Sequence, residues 1–410
     1  MASSQPNEGE RSSPRERGAV AALTFISIVA VIVLSVSIFI GSMLSLLFTR
    51  EGAVEWPYIA GMVGMTLFVI VVEIVTYMHH SRLLRPLYFL SSTLIGLFFY
   101  MFWASLVGGL LILLDLLIGL FSEMIYLQLT RGLVILMIAG PVLWGLIEGR
   151  FLRVRRVTIP LQNYRGKGAR IALISDVHLG LLVGEHRLGR IIRNLRRERP
   201  DVIISGGDLL DTNPRFLKRM EPILKELTSI APSYAVIGNH EFYHGMADSK
   251  VFLRDVGFDV LDRSEFEDTG KGFHISGVDD PSAFGSHEEY RKSIDGSFKT
   301  APAGKGLVLA NHQPMLFHRS ADMGLGLMLS GHTHGGQMFP GGLFTRLIYK
   351  EGDRGLIKYK DSHLYVCLGT GSWGPPLRVG APSEMVIINI REHYKKKGER
   401  GPPLEEGLLI

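Results

Sequence analysis

Four long apolar stretches without a charged residue constrain the fold of this chain more than any other feature. They all precede Glu148 and cover residues 18–49, 56–72, 86–114 and 132–147. A helix needs about 20 consecutive apolar residues to cross the hydrocarbon core of a bilayer. The sequence therefore predicts four transmembrane helices, of which the fourth is short. The first is too long for the apolar region of a cleaved signal peptide, so we expect it to be retained.

Positive charge is distributed unevenly between the two sides of these predicted spans. Arginines before the first span, after the second and after the fourth are Arg11, Arg15, Arg17, Arg82, Arg85, Arg150, Arg153, Arg155 and Arg156. The opposite side carries Arg50 and Arg131. Cytoplasmic loops carry the excess of Lys and Arg in membrane proteins. We therefore expect an integral, multi-pass membrane protein with both termini, and everything after Arg150, in the cytoplasm.

The net charge of +5 raises the question of a nucleic-acid partner. The basic residues concentrate beside the apolar stretches and in the tail at residues 395–397. Anionic lipid headgroups explain this placement, so membrane lipid is an expected partner and nucleic acid is not. The single cysteine, Cys367, excludes an internal disulfide framework and a thiolate metal cluster.

The composition changes after the fourth apolar stretch. Apolar strand-like runs now alternate with helical segments such as residues 185–197 and 215–228, a pattern typical of strand-helix-strand crossovers in α/β proteins. Glycine and proline between the later strands predict that part of the sheet is antiparallel. We expect a disordered N-terminus over 1–17, a transmembrane domain over 18–149, an α/β domain over 150–390 and a flexible tail over 391–410.

Within the α/β segment, five strand-like runs each end on side chains that can bind a metal. The first run is followed by Asp176 and His178, and alternate residues of a strand share one face. The other runs end at Asp208, at Asn239 and His240, at His312, and at His332 and His334. Oxygen and nitrogen donors of this kind suit divalent metals. Without His240, these side chains number seven. One ion with an open coordination position cannot use seven protein ligands, so the set favours two ions that share a carboxylate.

The order of these motifs resembles the calcineurin-like metallophosphoesterase superfamily. The matching motifs are Asp176-x-His178, Gly207-Asp208, Gly238-Asn239-His240-Glu241, Asn311-His312 and Gly331-His332-x-His334. Residues 330–337, 277–281 and 373–384 are similar to a membrane-associated bacterial and archaeal branch. The resemblance covers residues 155–390. It implies an α/β fold, a two-sheet β-sandwich flanked by helices, which here follows a four-helix transmembrane domain.

The resemblance also implies a role for each ligand. One ion would be held by Asp176, His178, Asp208 and His334, and the other by Asp208, Asn239, His312 and His332, with Asp208 as the bridge. His240 matches the position that protonates the leaving oxygen, and a histidine with a pKa near 6.5 suits that role. Two divalent ions of manganese, iron, zinc or cobalt fit these donors, and we favour manganese.

These observations predict a membrane-anchored, dinuclear metal-dependent phosphoesterase that hydrolyses phosphodiester or pyrophosphate bonds. The alternative is a membrane transporter or sensor whose soluble domain binds a metal or nucleotide without turnover. Arg378 follows two prolines and is predicted to bind a substrate phosphate, with a structural ion pair as the other interpretation. The sequence leaves the oligomeric state open.

An apolar segment directly follows the last metal ligands. Residues 338–349 include Phe339, Leu343, Phe344, Leu347 and Ile348. One hypothesis is that they form an exposed rim that contacts a lipid-linked substrate, because exposed apolar patches mark membrane or ligand contacts. The other is that they cap the core of the sandwich.

Overall fold

The computed structural model describes residues 14–49, 54–119, 123–262 and 265–392. The tail beyond 392 and most of the predicted N-terminal segment lie outside the described residues. The helices within the described ranges are α1 (Pro14–Phe48), α2 (Trp56–His79), α3 (Arg85–Ile118), α4 (Glu123–Glu148), α5 (Glu185–Glu198), α6 (Glu221–Thr228), α7 (Asn239–Asp255), α8 (His287–Lys299), α9 (Phe317–Asp322) and α10 (Gly341–Ile348). The chain divides into two compact units, and the sequence boundary between them falls between Leu143 and Trp144.

The first unit contains the apolar helices. Helices long and apolar enough to cross a membrane cover Ile28–Phe48, Trp56–His79, Arg82–Ile118 and Leu127–Glu148, which confirms the prediction of four such elements. Large apolar side chains face outward, and Val31 and Leu136 are 63% and 65% exposed. Helices that are apolar on the outside suit a lipid environment. Between α1 and α2, Ser37 Oγ lies 2.8 Å from Thr66 Oγ1.

The last turn of α4 belongs to the second unit. The backbone N–H of Arg378 donates to Gly145 O at 3.1 Å, and Arg187 Nη2 donates to Gly149 O at 2.6 Å. A Cβ atom on Gly149 would lie 2.6 Å from Pro376 O, so this close approach requires glycine. The second compact unit therefore begins a few residues before position 150, where the sequence predicted the α/β domain to start.

The strands of the described residues form two six-stranded sheets. They are β1 (Arg153–Leu161), β2 (Ala169–Ile174), β3 (Val202–Ser205), β4 (Ser233–Ala235), β5 (Asp259–Val260), β6 (Glu267–Asp268), β7 (Phe273–Val278), β8 (Gly306–Asn311), β9 (Leu327–Ser330), β10 (Gly355–Tyr359), β11 (Ser362–Val366) and β12 (Glu384–Glu392). The strand orders are β1-β12-β2-β3-β4-β5 and β10-β11-β9-β8-β7-β6. Strand β12 is antiparallel to β2, and β10 is antiparallel to β11. Part of each sheet is thus antiparallel, as the sequence predicted.

The side-chain alternation of β2 shows how the layers are assembled. Ile171 and Leu173 lie in a core that also contains Phe273 of the second sheet. Ala172 and Ile174 point the other way and pack in a core with residues of α5, α6 and α7. Alternate residues of a strand face opposite sides of the sheet, so β2 is buried on both faces. Residues of α8 and α9 pack over the outer face of the second sheet. The predicted two-sheet sandwich flanked by helices is confirmed.

Candidate metal centre

Side chains from five strand ends converge at one edge of the sandwich. Asp176 and His178 follow β2, Asp208 follows β3, Asn239 and His240 begin α7 after β4, His312 follows β8, and His332 and His334 follow β9. The first three strands belong to one sheet and the last two to the other. The structure therefore brings the predicted ligands together where the carboxyl ends of both sheets meet.

The first group of donors is Asp176, His178 and His334, whose donor atoms lie within 4.8 Å of one another. His334 Nε2 lies 3.1 Å from His178 Nε2 and 3.5 Å from Asp176 Oδ1. Asp176 has no exposed surface, and its Oδ2 atom has no hydrogen-bond partner among the described residues. Buried charged groups are normally paired or bound to a metal. The donor set and this carboxylate oxygen therefore fit a divalent cation.

The second group consists of Asp208, His312 and His332, with Asn239 beside them. Asn239 Oδ1 is 2.9 Å from His332 Nδ1 and 3.2 Å from His312 Nε2. Asp208 Oδ2 lies 3.3 Å from His312 Nε2 and 3.9 Å from His178 Nε2 of the first group. One carboxylate oxygen therefore faces both groups, at the position expected for a shared ligand.

Burial and neighbouring charges set the protonation of these groups. Burial, with a further contribution from His312, lowers the pKa of His332 to about 4, and burial also lowers the pKa of His334 well below its usual value. Burial alone would raise the pKa of Asp208, but His312 and His178 outweigh it and lower that pKa. Neutral His332 and His334 and ionised Asp208 are in the forms that bind metals. His312 differs, because burial alone would lower its pKa but Asp208 outweighs that effect and raises the pKa, so His312 would release a proton when a cation binds.

The backbone at the ligands is unusual. Asp176, His178, Asp208, His332 and His334 have φ angles between 49° and 68°, in the left-handed region that residues other than glycine rarely adopt. Such conformations persist where the surrounding structure enforces them, and they cluster at functional sites. The surrounding structure therefore holds the backbone of these strand-end loops in conformations that the residues would rarely adopt on their own.

Two glycines make room for the ligand carboxylates. A Cβ atom on Gly238 would lie 2.1 Å from Asp208 Oδ1, and one on Gly331 would lie 2.1 Å from Asp176 Oδ2. No side chain fits at such distances. These glycines accordingly allow two loops to approach the carboxylates at the centre of the site.

His240 lies beside Asp208 and has a partner, Asp211, that the sequence did not predict. Its Nδ1 atom is 2.6 Å from Asp211 Oδ1, and its Nε2 atom is 4.0 Å from Asp208 Oδ2. Burial by itself would lower the pKa of His240, but Asp211 and Asp208 outweigh it and raise that pKa. For Asp211, burial is outweighed by His178 and His240, and its pKa falls to about 2. The pair favours a protonated His240 whose Nε2 faces the ligands.

Glu241 is a second residue whose role sequence reasoning missed. Its carboxylate is 1% exposed and accepts backbone N–H groups from Asp208 at 3.0 Å, Leu210 at 2.9 Å and Gly238 at 2.9 Å. It therefore ties the loop after β3 to the start of α7, the two segments that carry Asp208 and Asn239. The feature of the sequence that pointed to Glu241 is its position in the motif at residues 238–241.

The structure corrects the predicted role of Arg378. The side chain has no exposed surface, and its donors contact the backbone oxygens of Leu368, Ala381 and Gly371, Ser372 Oγ, and His334 Nδ1. A guanidinium has five N–H donors, and all five are used here. It is not placed to bind a substrate phosphate, and it forms no ion pair with any of the described residues, as the alternative interpretation required. Arg378 is a positioning residue that contacts the ring of His334 at 3.0 Å.

Comparisons with known proteins identify the family of this chain. Residues 169–336 match the family model of calcineurin-like phosphoesterases. A metallophosphoesterase of Aquifex aeolicus is 37% identical over 250 residues, which cover 60% of this chain and 94% of that protein. A transmembrane protein with metallophosphoesterase domain from Danio rerio is 29% identical over 58% of this chain and 57% of its own length.

The chain belongs to the calcineurin-like metallophosphoesterases. Family membership assigns it to the metal-dependent phosphoesterases, which agrees with the two groups of oxygen and nitrogen donors. Among solved structures, a putative 5′-nucleotidase of Staphylococcus aureus aligns with a TM-score of 0.34 and 14% identity over 56% of each chain.

Proposed function

We propose that this protein is a membrane-anchored, dinuclear metal-dependent enzyme that hydrolyses phosphodiester or pyrophosphate bonds. The observation that carries the proposal is the position of Asp208, whose Oδ2 atom faces both donor groups at 3.3 and 3.9 Å. Two divalent ions, with manganese favoured, would lower the pKa of water and offset negative charge at phosphorus. One ion would be held by Asp176, His178, Asp208 and His334. The other would be held by Asp208, Asn239, His312 and His332.

The protein side chains supply proton transfer and orientation. His240 holds a proton on Nε2, which faces Asp208 across 4.0 Å, and donates it to the leaving oxygen. Asp211 fixes the ring through Nδ1 and keeps it protonated. Arg378 and Glu241 do not contact the substrate; they hold His334 and the loop that carries Asp208 in place.

Turnover by the purified full-length protein tests this function. We expect hydrolysis of bis(p-nitrophenyl) phosphate with added manganese, and loss of that activity after exhaustive chelation, because the proposed ions would activate the attacking water. Readdition of manganese should restore it. Metal binding without hydrolysis of any phosphodiester or pyrophosphate would support a transporter or sensor instead.

We further propose that the substrate is lipid-linked. No residue of α10 is buried, and Phe339, Leu343 and Phe344 are 62%, 54% and 49% exposed. This exposure contradicts the alternative that the segment caps the sandwich core. The helix lies close to the site, since the ring of Tyr349 at its end is 5.8 Å from that of His332. An exposed apolar patch beside the donors suits acyl chains.

Replacement of Phe339, Leu343 and Phe344 by serine should separate lipid from soluble substrates. We expect turnover of a vesicle-embedded phosphodiester to fall about tenfold or more, equivalent to about 1.4 kcal/mol, because the apolar contact is lost. Turnover of bis(p-nitrophenyl) phosphate should stay near wild type. Val251→Ser, at a 57% exposed position of α7, is the control. Equal losses on both substrates would make the patch structural.

The membrane orientation is also part of the proposal. The arginine distribution described above favours a multi-pass protein whose second unit is in the cytoplasm. A topology reporter fused after Arg156 should therefore report a cytoplasmic position. An extracytoplasmic signal from this fusion would require an odd number of spans before Arg156.

A further inference from the structure

Two exposed aromatic side chains flank the proposed proton donor. The ring centroid of Trp373 lies 5.9 Å from that of His240, and the ring of Tyr243 lies 6.1 Å from it. Trp373 is 53% exposed and Tyr243 is 62% exposed. Large aromatic side chains usually bury most of their surface. Neither the metal ligands nor the proton donor described above accounts for two such rings at the mouth of the site.

The backbone around Trp373 is held firmly although its ring is exposed. Gln337, which is 7% exposed, donates from Nε2 to Trp373 O at 2.8 Å and to Pro375 O at 3.0 Å. The N–H of Trp373 donates back to Gln337 Oε1 at 3.2 Å. Gln337 lies three residues after the donor His334. The ring of Trp373 is therefore anchored to the same loop that carries a predicted ligand.

Tyr243 is placed by the helix that carries His240. It lies three residues after His240 in α7, and residues three apart are neighbours on one helix face. Both rings are thus fixed through their backbones relative to the donor. A preformed contact surface loses little conformational entropy when a ligand binds.

The geometry of proton transfer places the leaving group beside these rings. A proton donor must come within about 2.6–3.2 Å of the leaving oxygen. The Nδ1 side of His240 is occupied by Asp211 at 2.6 Å, and one edge of the ring is closed by His178 at a centroid distance of 4.6 Å. A third neighbour, His244, has its ring 6.1 Å from that of His240 but is only partly exposed. Trp373 and Tyr243 are therefore the exposed rings beside His240 that the first atoms beyond the leaving oxygen can meet.

We propose that Trp373 and Tyr243 form an aromatic clamp for a leaving alcohol that carries a flat aromatic ring near its oxygen. Nucleoside and aryl alcohols have this chemistry. Tryptophan and tyrosine offer flat π-faces that stack on such rings, whereas the aliphatic side chains that suit acyl chains are concentrated on α10. The inference rests on the proposed phosphodiester hydrolysis and names the leaving half of the substrate.

The test uses two symmetric diesters of similar size, dibenzyl phosphate and bis(cyclohexylmethyl) phosphate. Both release a primary alcohol once the leaving oxygen is protonated, but only the first carries a flat ring. In the full-length protein, Trp373→Leu and Tyr243→Leu should each lower kcat/KM for dibenzyl phosphate about tenfold, and change that for the saturated ester less than about twofold. Trp373→Phe should retain the preference for the aromatic ester. Val251→Leu, at a 57% exposed position of the same helix, is the control.

The ratio of the two rates separates the clamp from a structural role. Equal losses on both esters would show that the rings only support His240, and would overturn the clamp while leaving the phosphoesterase proposal intact. A wild-type protein that hydrolyses both esters without preference would also overturn it. Absence of turnover on every diester, including bis(p-nitrophenyl) phosphate, would contradict the proposed function and the clamp with it.

Discussion

Replacement of His240 by glutamine should lower kcat for an alkyl leaving group on the order of 10²–10⁴-fold, the usual contribution of a positioned general acid. His240 Nε2 lies 4.0 Å from Asp208 Oδ2, and in the proposed assignment it is the proton donor and a ligand of neither ion. Metal content, measured by elemental analysis, should stay at the wild-type level. Nitrophenolate leaves without a proton, so the loss on bis(p-nitrophenyl) phosphate should be smaller. Equal losses on both substrates would argue against His240 as the acid.

The pH dependence of Asp211→Asn is part of the same prediction. Asp211 raises the pKa of His240 against the effect of burial, so its removal should lower that pKa. A general acid must be protonated, and activity falls as the pH rises through its pKa. The alkaline limb of the kcat profile should therefore move to lower pH in Asp211→Asn. Asp211 Oδ1 also lies 3.5 Å from His178 Nδ1, so metal content must be measured alongside. An unmoved limb with full metal content would mean that another group titrates.

The ligand side chains could be predicted because each follows an apolar strand. The two-residue spacing of Asp176 and His178, and of His332 and His334, places each pair at one strand end. Parallel strands bring their carboxyl ends to the same edge of a sheet. The sandwich itself followed from the resemblance of the motifs. The order of the strands did not, because β12, the last strand, inserts between β1 and β2 through pairing that is distant in sequence.

Residues that act through other residues were harder to predict. Asp211 reaches His240 only because the loop after β3 packs beside α7, a contact that local sequence does not specify. Arg378 was misassigned because sequence shows its charge but not its burial, and a buried guanidinium with five acceptors is a structural group. The exposure of α10 likewise depends on where the helix packs, since an apolar segment of that length suits either a core or a surface patch.

The second large effect is expected at Asp208. Asp208→Asn keeps the size of the side chain and one oxygen but removes the negative charge that both donor groups share. Oδ1 accepts the N–H of His240 at 2.8 Å, and Oδ2 faces His312 and His178. The asparagine side chain has a single oxygen. That oxygen can either accept the N–H of His240 or face the cations, and in the second case it is neutral. Because the missing charge is the shared one, we expect both ions to bind more weakly. Activity should fall about 10³-fold or more, beyond the loss of a single electrostatic group.

Metal stoichiometry distinguishes this variant from His240→Gln, which should lose activity but not metal. A matched carboxylate-to-amide control is Asp279→Asn, since Asp279 pairs with Lys250 at 2.7 Å rather than with the donor groups. That variant should keep metal content and activity near wild type. If Asp208→Asn still binds two ions per chain and retains activity, the carboxylate does not bridge them, and the dinuclear arrangement would need a different shared ligand. If the variant loses only one ion, Asp208 binds only that ion. The other ion would then be held by its donor group without Asp208.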